Sequence, residues 1–310
     1  MNGISVACPA KVNLFLRILA REDSGYHQIE TLFQAVGLYD RVDAYPGGGG
    51  IVLEVRSDTT EPGLGDIAAE LGDPEDNTVV RAARAFFEAT GIEPAVRIVL
   101  SKAIPAGTGL GGASSDAAGT LAALNALHGH PLRHHQIIRE GGWIGSDVPF
   151  FCTGASTAVA WRRGDRLLGR PPPPAAHVVL VVPHARTSTA DAYGEVSSRL
   201  KLPVPPTWLA DIETGDWEEL AALQHNDFEL VAFERMPVLG AMREALAASG
   251  AVMARLTGSG SALFGVFADT GPGRAGDAAR VVGAMEGVAA AIVVPTLTGI
   301  PAPQRILADV

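Results

Sequence analysis

The sequence is short of lysine, cysteine, basic surface and long apolar runs, and each shortage excludes something. Lysine occurs only at Lys11, Lys102 and Lys201, against 21 arginines. A chain that uses arginine wherever charge alone suffices marks each remaining lysine as a candidate for work that arginine cannot do. Cys8 and Cys152 are the only cysteines. They cannot build a disulfide framework and lack metal-ligand spacing, so both are expected to be reduced thiols of a cytoplasmic protein. No window approaches the roughly 18–20 unbroken apolar residues of a membrane span. No basic segment precedes the first apolar stretch either, so neither a membrane anchor nor a signal peptide is expected. The net charge of −10 argues against nucleic acid as the main partner, because phosphate binding needs a basic face. A local cationic pocket for a small anionic molecule remains compatible with it.

What is present describes an ordinary globular chain. Its 310 residues, 47% hydrophobic and 19% charged, leave room for two domains or for one large domain with insertions. "ISVACPAKVNLFLRIL" reads as short extended runs on both sides of Pro9. "RVDAYPGGGGIVLEVRSD" reads as two strands joined by a glycine turn at Gly47 to Gly50. "DNTVVRAARAFFEATG" reads as a helix capped by Asp76 or Asn77 and stopped at Gly91. "AVRIVLSKAIPA" is a strand, and "SSDAAGTLAALNALHG" is a helix that Ser114 and Ser115 can cap and Gly129 ends. The proline run "GRPPPPAAH" tolerates neither a central strand nor a helix, which suggests a boundary near residue 170. We therefore expect an α+β chain of two domains, 1–170 and 171–310, the second alternating helices such as "VLGAMREALAASG" with strands such as "ALFGVF" and "AAAIVVPTL".

The stretch "PAGTGLGGASSDAAG" between that strand and that helix contains G-x-G-x-x-G. Glycines before a helix N-terminus let backbone N–H groups approach a phosphate, and the helix dipole adds positive potential there. A dinucleotide site also needs a second parallel strand ending in Asp or Glu, and none follows here. A Walker loop needs Gly-Lys-Ser/Thr, and the loop has no lysine. A protein kinase needs its glycine loop near the start of the domain, with V-A-I-K-like and H-R-D-like segments after it. Both segments are missing. On residues alone the stretch remains a phosphate cradle of unassigned type. "HGHPLRHH" tempts a metal reading, but no acidic or cysteine ligand accompanies it, and a solvated loop is expected.

The longer unit resembles the second motif of the GHMP small-molecule kinases, a P-x-x-x-G-L-G-S/G-S-S-type loop that wraps the phosphates of ATP. "LTGSGSALFG", Leu256 to Gly265, is similar to their third motif. "PAKVNLFLRILARED-SGYHQIETLF" and "GSDVPFF" (Gly145 to Phe151) resemble the branch of that family whose acceptor is a cytidine diphosphate-linked methylerythritol. The pattern departs mildly at Ser24 (usually Asp), Ile29 (usually Leu), Ala113 (more often Gly) and Asp116 (more often Asn). The side chain of Asp116 is expected to point away from the nucleotide.

The resemblance implies a two-domain GHMP kinase fold, a ribosomal-protein-S5-like domain followed by a ferredoxin-like α/β domain. It implies ATP as donor, with Mg²⁺ carried in on its phosphates. Asp147 would accept the proton of the acceptor hydroxyl, and Lys11 would pair with it. Without the resemblance, Asp147 reads as a turn former or cap and Lys11 as a snorkelling surface lysine. Pro105, Ala106, Gly107, Thr108, Gly109 and Leu110, then Gly111, Gly112, Ala113, Ser114 and Ser115, would form the ATP loop. Tyr26 would stack on the cytosine, His27 would bond its edge, and Tyr193 would close the far side. Asn13 and the loop residues Gly258, Ser259 and Gly260 would complete the substrate site. The alternatives are another GHMP kinase (homoserine, mevalonate or sugar), a dinucleotide-dependent oxidoreductase, or an inactive binding protein of this fold. The expected partner is a small molecule, with no nucleic acid and no membrane, and the chain a monomer or homodimer.

Overall fold

A computed structural model describes residues 2–57, 77–207, 209–268, 271 and 273–307. It begins with β1 (Asn2–Arg21) and β2 (His27–Pro46), two antiparallel strands of 20 residues each. β1 does not break at Pro9 as the sequence suggested. The pairing register shifts between Pro9 and Ala10, and such an irregularity is where a strand tolerates a residue without an N–H. β3 (Gly50–Ser57), α1 (Thr78–Thr90) and β4 (Ala95–Lys102) follow. The glycine turn does join two strands, but they are not partners, because β4 lies between them, antiparallel to β2 and parallel to β3. Asn77 caps α1, its side chain accepting from the Val79 N–H, and Gly91 closes it at φ +68°. The other cap candidate, Asp76, lies outside the described residues.

Next come α2 (Gly112–Leu127), α3 (His134–Ile144), α4 (Val148–Cys152), β5 (Thr157–Arg162) and β6 (Arg166–Gly169). His134 and His135 open α3 rather than lying in a loop. His128 packs its ring 5.6 Å from Phe86 and 5.7 Å from Phe87. Residues 170–176, the proline run, separate β6 from β7 (His177–Pro183). Beyond it lie α5 (Thr189–Arg199), α6 (Trp217–Leu223), β8 (His225–Asn226), α7 (Glu229–Arg235) and α8 (Pro237–Ala248). The chain ends with β9 (Met253–Leu256), β10 (Leu263–Phe267), α9 (Gly273–Gly283), β11 (Val288–Pro295) and β12 (Gln304–Leu307).

Two sheets result. One has the order β12–β1–β2–β4–β3, with β5 on the first half of β2, β6 on β5, and β8 parallel to β1. The other is the antiparallel set β11–β7–β10–β9. With α8 before β9 and α9 between β10 and β11, the second sheet has the expected ferredoxin-like order. β8 and β12, although late in sequence, pair with β1 of the first sheet.

Three apolar clusters hold these layers together. α1 and α2 bury Phe86, Leu121 and Leu124 against Val42 and Ile98 of the first sheet. Val12, Leu14 and Leu32 of the first sheet meet Leu180 and Phe264 of the second. Met242, Leu246 and Val282 cover the second sheet's other face. Because the middle cluster joins the sheets, β1 and β2 face both of them, and the middle of β1 is held beside the loop that leaves β4, with Lys11 N–H donating to Leu110 O at 2.9 Å. Among the described residues no helix is long and apolar enough to cross a membrane.

Candidate active site

The loop from Ala103 to Gly111 runs from β4 into α2 with Gly107, Gly109 and Gly111 at φ +69°, +84° and +78°, angles at which a Cβ is strained. Two of these glycines are also needed for space. A Cβ on Gly109 would strike the carbonyl oxygen of Thr257, and one on Gly111 would lie 2.9 Å from Cγ of Lys11 and 3.2 Å from Phe151. The close approach lets the two glycine loops interlock. Ala262 N–H donates to Thr108 O at 3.1 Å, and the Thr257 hydroxyl donates to Gly109 O at 3.2 Å. α2 itself has no side-chain cap: its N-cap is Gly111, and Ser114 and Ser115 lie inside the first turn, contrary to the capping expected from sequence. The first N–H groups of the helix are therefore not taken by a capping side chain, which leaves an anion-binding end.

Gly107, Thr108, Gly109, Gly112, Ala113 and Ser114 line a cleft of about 600 Å³, with Pro105, Ala106 and Gly111 beside them and Gly258 and Ser259 on the facing loop. Leu110, Ser115 and Gly260 do not line it: Leu110 and Ser115 are buried, and the Gly260 N–H closes the turn onto Thr257 O. Lys11 and Asp147 meet inside this cleft, Nζ to Oδ2 at 3.4 Å. Asp147 stands at the N-cap of α4 yet makes no capping bond with its side chain, so the carboxylate is free to face the lysine. The Lys11 ammonium is buried, which pushes its pKa below the ordinary value; the charge and hydrogen bond of Asp147 offset only part of that. Nζ also donates to Asn13 Oδ1 at 2.7 Å. That same oxygen accepts from Gly258 N–H at 2.9 Å, while Asn13 Nδ2 donates to Thr31 at 2.8 Å. Asn13 thus ties Lys11 to the second glycine loop.

A second cavity, of about 1040 Å³, lies alongside and is bordered by Tyr26, His27, Trp143 and Arg163. Gly145, Ser146 and Tyr193 border both cavities. Tyr26 is 59% exposed. Burial, and secondarily the charge of Arg21, push the His27 imidazole below its ordinary pKa, so the ring is neutral near pH 7. Its Nε2 is buried with no partner among the described residues. The Tyr193 ring stacks on His27 at 5.0 Å and meets Phe228 edge-on at 4.7 Å. Burial, then the charge of Asp147, raise its phenol pKa.

Comparison with known proteins matches residues 77–155 to the GHMP kinase N-terminal domain and residues 208–286 to the GHMP kinase C-terminal domain. The 4-diphosphocytidyl-2-C-methyl-D-erythritol kinase of Syntrophotalea carbinolica is 38% identical over 280 residues, which cover 89% of this chain and 91% of that protein. The chain belongs to the 4-diphosphocytidyl-2-C-methyl-D-erythritol kinase family, within the GHMP kinases. The enzyme of that name from Moorella thermoacetica is also 38% identical, over 87% of this chain and 92% of its own. A crystal structure of 4-(cytidine 5'-diphospho)-2C-methyl-D-erythritol kinase superposes with a TM-score of 0.75 at 32% identity, covering 94% of this chain and 98% of that one. Homoserine kinase from Cytophaga hutchinsonii shares the fold, with a TM-score of 0.72 at 19% identity over 98% of this chain and 97% of its own.

Sequence reasoning about this GHMP kinase missed a buried triad beneath the glycine loop. Lys102 Nζ donates to Asp40 Oδ2 and, at 2.7 Å, to Asp116 Oδ2. Asp40 also accepts from the N–H groups of Ala103 at 2.6 Å and Ile104 at 2.8 Å, which fixes the departure of the loop from β4. The scarcity of lysine was the one available signal. Desolvation pulls the Lys102 pKa down, but the two carboxylates more than offset it and leave it raised. Asp116 is raised well above the ordinary carboxylate value, by burial first and by Asp40, against the pull of Lys102. Burial thus makes Asp116 hold its proton more tightly in the folded chain than in the unfolded one. Because the folded state then holds a proton that the unfolded chain has lost, stability declines as pH rises above the unfolded value near 3.8 and levels off once Asp116 ionises in the folded chain. Asp116→Asn should flatten that decline, so that its denaturant midpoint falls less than the wild type's as pH rises above 3.8. Parallel pH curves for the two proteins would contradict the assignment.

Proposed function

We propose that this chain transfers the γ-phosphoryl group of ATP to the 2-hydroxyl of 4-diphosphocytidyl-2-C-methyl-D-erythritol, in the cytoplasm, on the non-mevalonate route to isoprenoid precursors. The observation that carries the reading is the wall of Gly145, Ser146 and Tyr193 shared by the two cavities. An acceptor anchored by its base in one cavity can present a hydroxyl to Asp147 in the other. The loop N–H groups and the end of α2 cradle the phosphates. Asp147 takes the hydroxyl proton, and Lys11 stabilises charge on the transferred group in an in-line displacement. Mg²⁺ carried in on ATP would neutralise phosphate charge there. The donor set fits that arrangement: Ser114 and Asp147 line the cleft with oxygen-bearing side chains.

In this reading Asn13 positions Lys11 and the second loop, and Gly258 and Ser259 face the substrate from the far side. The cytosine lies on Tyr26 with its edge at His27, and Tyr193, stacked on His27, closes the far side. The two domains meet near residue 170, with β8 and β12 crossing back.

A ³¹P spectrum of the product tests the reading. One new phosphomonoester should appear per ADP released, with the acceptor's diphosphate signals retained; loss of those signals, or no new ester, overturns it. Tyr26→Ala should raise KM for the cytidyl acceptor about 5- to 100-fold, the scale of one base-stacking contact, with little change in kcat. A collapse of kcat at unchanged KM would remove Tyr26 from base recognition.

A further inference from the structure

Tyr26 sits at the tip of the β1–β2 turn, a place where an exposed ring is normally free to swing. Here one of its faces is already occupied. The Arg163 guanidinium lies 4.0 Å from the centre of the Tyr26 ring. Arg163 comes from the distant β5–β6 turn, and three contacts fix it. Its Nε donates to Glu22 Oε2 at 3.1 Å, its Nη2 donates to the same carboxylate, and Nη2 also donates to the Ser24 hydroxyl at 3.1 Å. The β1–β2 turn is closed around these partners: Glu22 N–H donates to Tyr26 O at 2.8 Å, and Gly25 N–H to Glu22 O at 2.9 Å. The opposite turn is shaped to deliver the arginine. Arg162 adopts φ +60° and Gly164 φ +96°, and the Arg163 N–H donates to Asp165 Oδ1 at 3.2 Å. A non-glycine residue in the left-handed region is uncommon and needs surroundings that hold it there. Ser24 accepts from Arg163 without adding a second negative charge beside Glu22.

We propose that Arg163, held by Glu22, is a positioning residue for nucleobase recognition: it backs one face of Tyr26 and leaves only the other face for the base. This rests on the reading of Tyr26 given above and deepens it. A cation on one face of an aromatic ring is attracted by its quadrupole. A ring fixed before binding also loses less freedom when the ligand arrives. Glu22 neutralises the guanidinium's charge, so Arg163 acts through Tyr26 rather than on the anionic part of the acceptor. Because the planar guanidinium both stacks and forks onto a carboxylate, lysine is an incomplete substitute.

The test is a double-mutant cycle on Tyr26→Ala and Arg163→Ala. It is read by calorimetric binding of CDP and by KM for the cytidyl acceptor. Arg163→Ala should weaken CDP binding and raise that KM about 3- to 10-fold, without changing kcat at saturation or KM for ATP. Arg163→Lys should fall between it and wild type. In the Tyr26→Ala background, Arg163→Ala should add nothing, because the ring it positions is gone. Additive losses, or a loss on Tyr26→Ala with none on Arg163→Ala, would overturn the positioning role while leaving Tyr26 as the base platform. If neither variant weakens CDP binding, the base platform falls and the inference falls with it.

Discussion

Asp147→Asn should fold as the wild type does and lose about 10²- to 10⁴-fold in kcat, the usual worth of a positioned general base. The substitution keeps size and shape and removes the capacity to accept a proton. It costs no helix cap, because the Asp147 side chain makes no capping bond to α4. The variant also removes the charge that partly supports the buried Lys11 ammonium, so the Lys11 pKa should fall further than burial already takes it. Loss of transition-state stabilisation by both groups makes the effect larger than that of one hydrogen bond. KM for either substrate should move little, since neither the loop nor the base cavity is touched. Steady-state kinetics, with thermal unfolding as the control for folding, decides the matter. A variant with near-normal turnover removes Asp147 from the chemistry.

Lys102→Met should be the most damaging change outside the reacting groups, with a loss of about 3–5 kcal/mol of stability, the scale seen when one partner of a buried ion pair is removed. The Lys102 side chain is 3% exposed and lies between two carboxylates exposed by 0% and 3%. Without it, Asp40 and Asp116 face each other in a dry site, although Asp40 keeps two backbone N–H donors. Asp116 already holds its proton more tightly than an ordinary carboxyl, so adding Asp116→Asn to the variant should restore part of the lost stability. Because the triad fixes the exit of the phosphate loop, ATP affinity should drop in the single variant and recover in the double. A denaturant midpoint unchanged by Lys102→Met would show that the triad does not hold the loop.

How much of this was legible depends on the range of the interaction. The loop between Pro105 and Ser115 declared itself because its signals are local: three left-handed glycines in sequence and a helix immediately after. Lys11 and Asp147 were legible as a pair only through the ordered motifs around them, since nothing in the 135 intervening positions places one beside the other. The composition pointed at Lys102 without naming its partners, because Asp40 and Asp116 arrive from a different strand and a helix. Ser114 and Ser115 looked like caps by position, but glycine at residue 111 turns the chain tightly enough to put both inside the helix. The strand break expected at Pro9 failed because a shift in register absorbs a proline that propensity alone rejects. The hub at Asn13 and Thr257, and the stacking of Arg163 on Tyr26, depend on contacts between segments far apart in sequence, and no local pattern encodes them.

The most direct measurement is ADP release with four acceptors offered separately at equal concentration: 4-diphosphocytidyl-2-C-methyl-D-erythritol, homoserine, mevalonate and galactose. Turnover should occur with the cytidyl alcohol and be negligible with the other three, which carry no base to lie against Tyr26. Turnover with one of those three and none with the cytidyl alcohol would contradict the account.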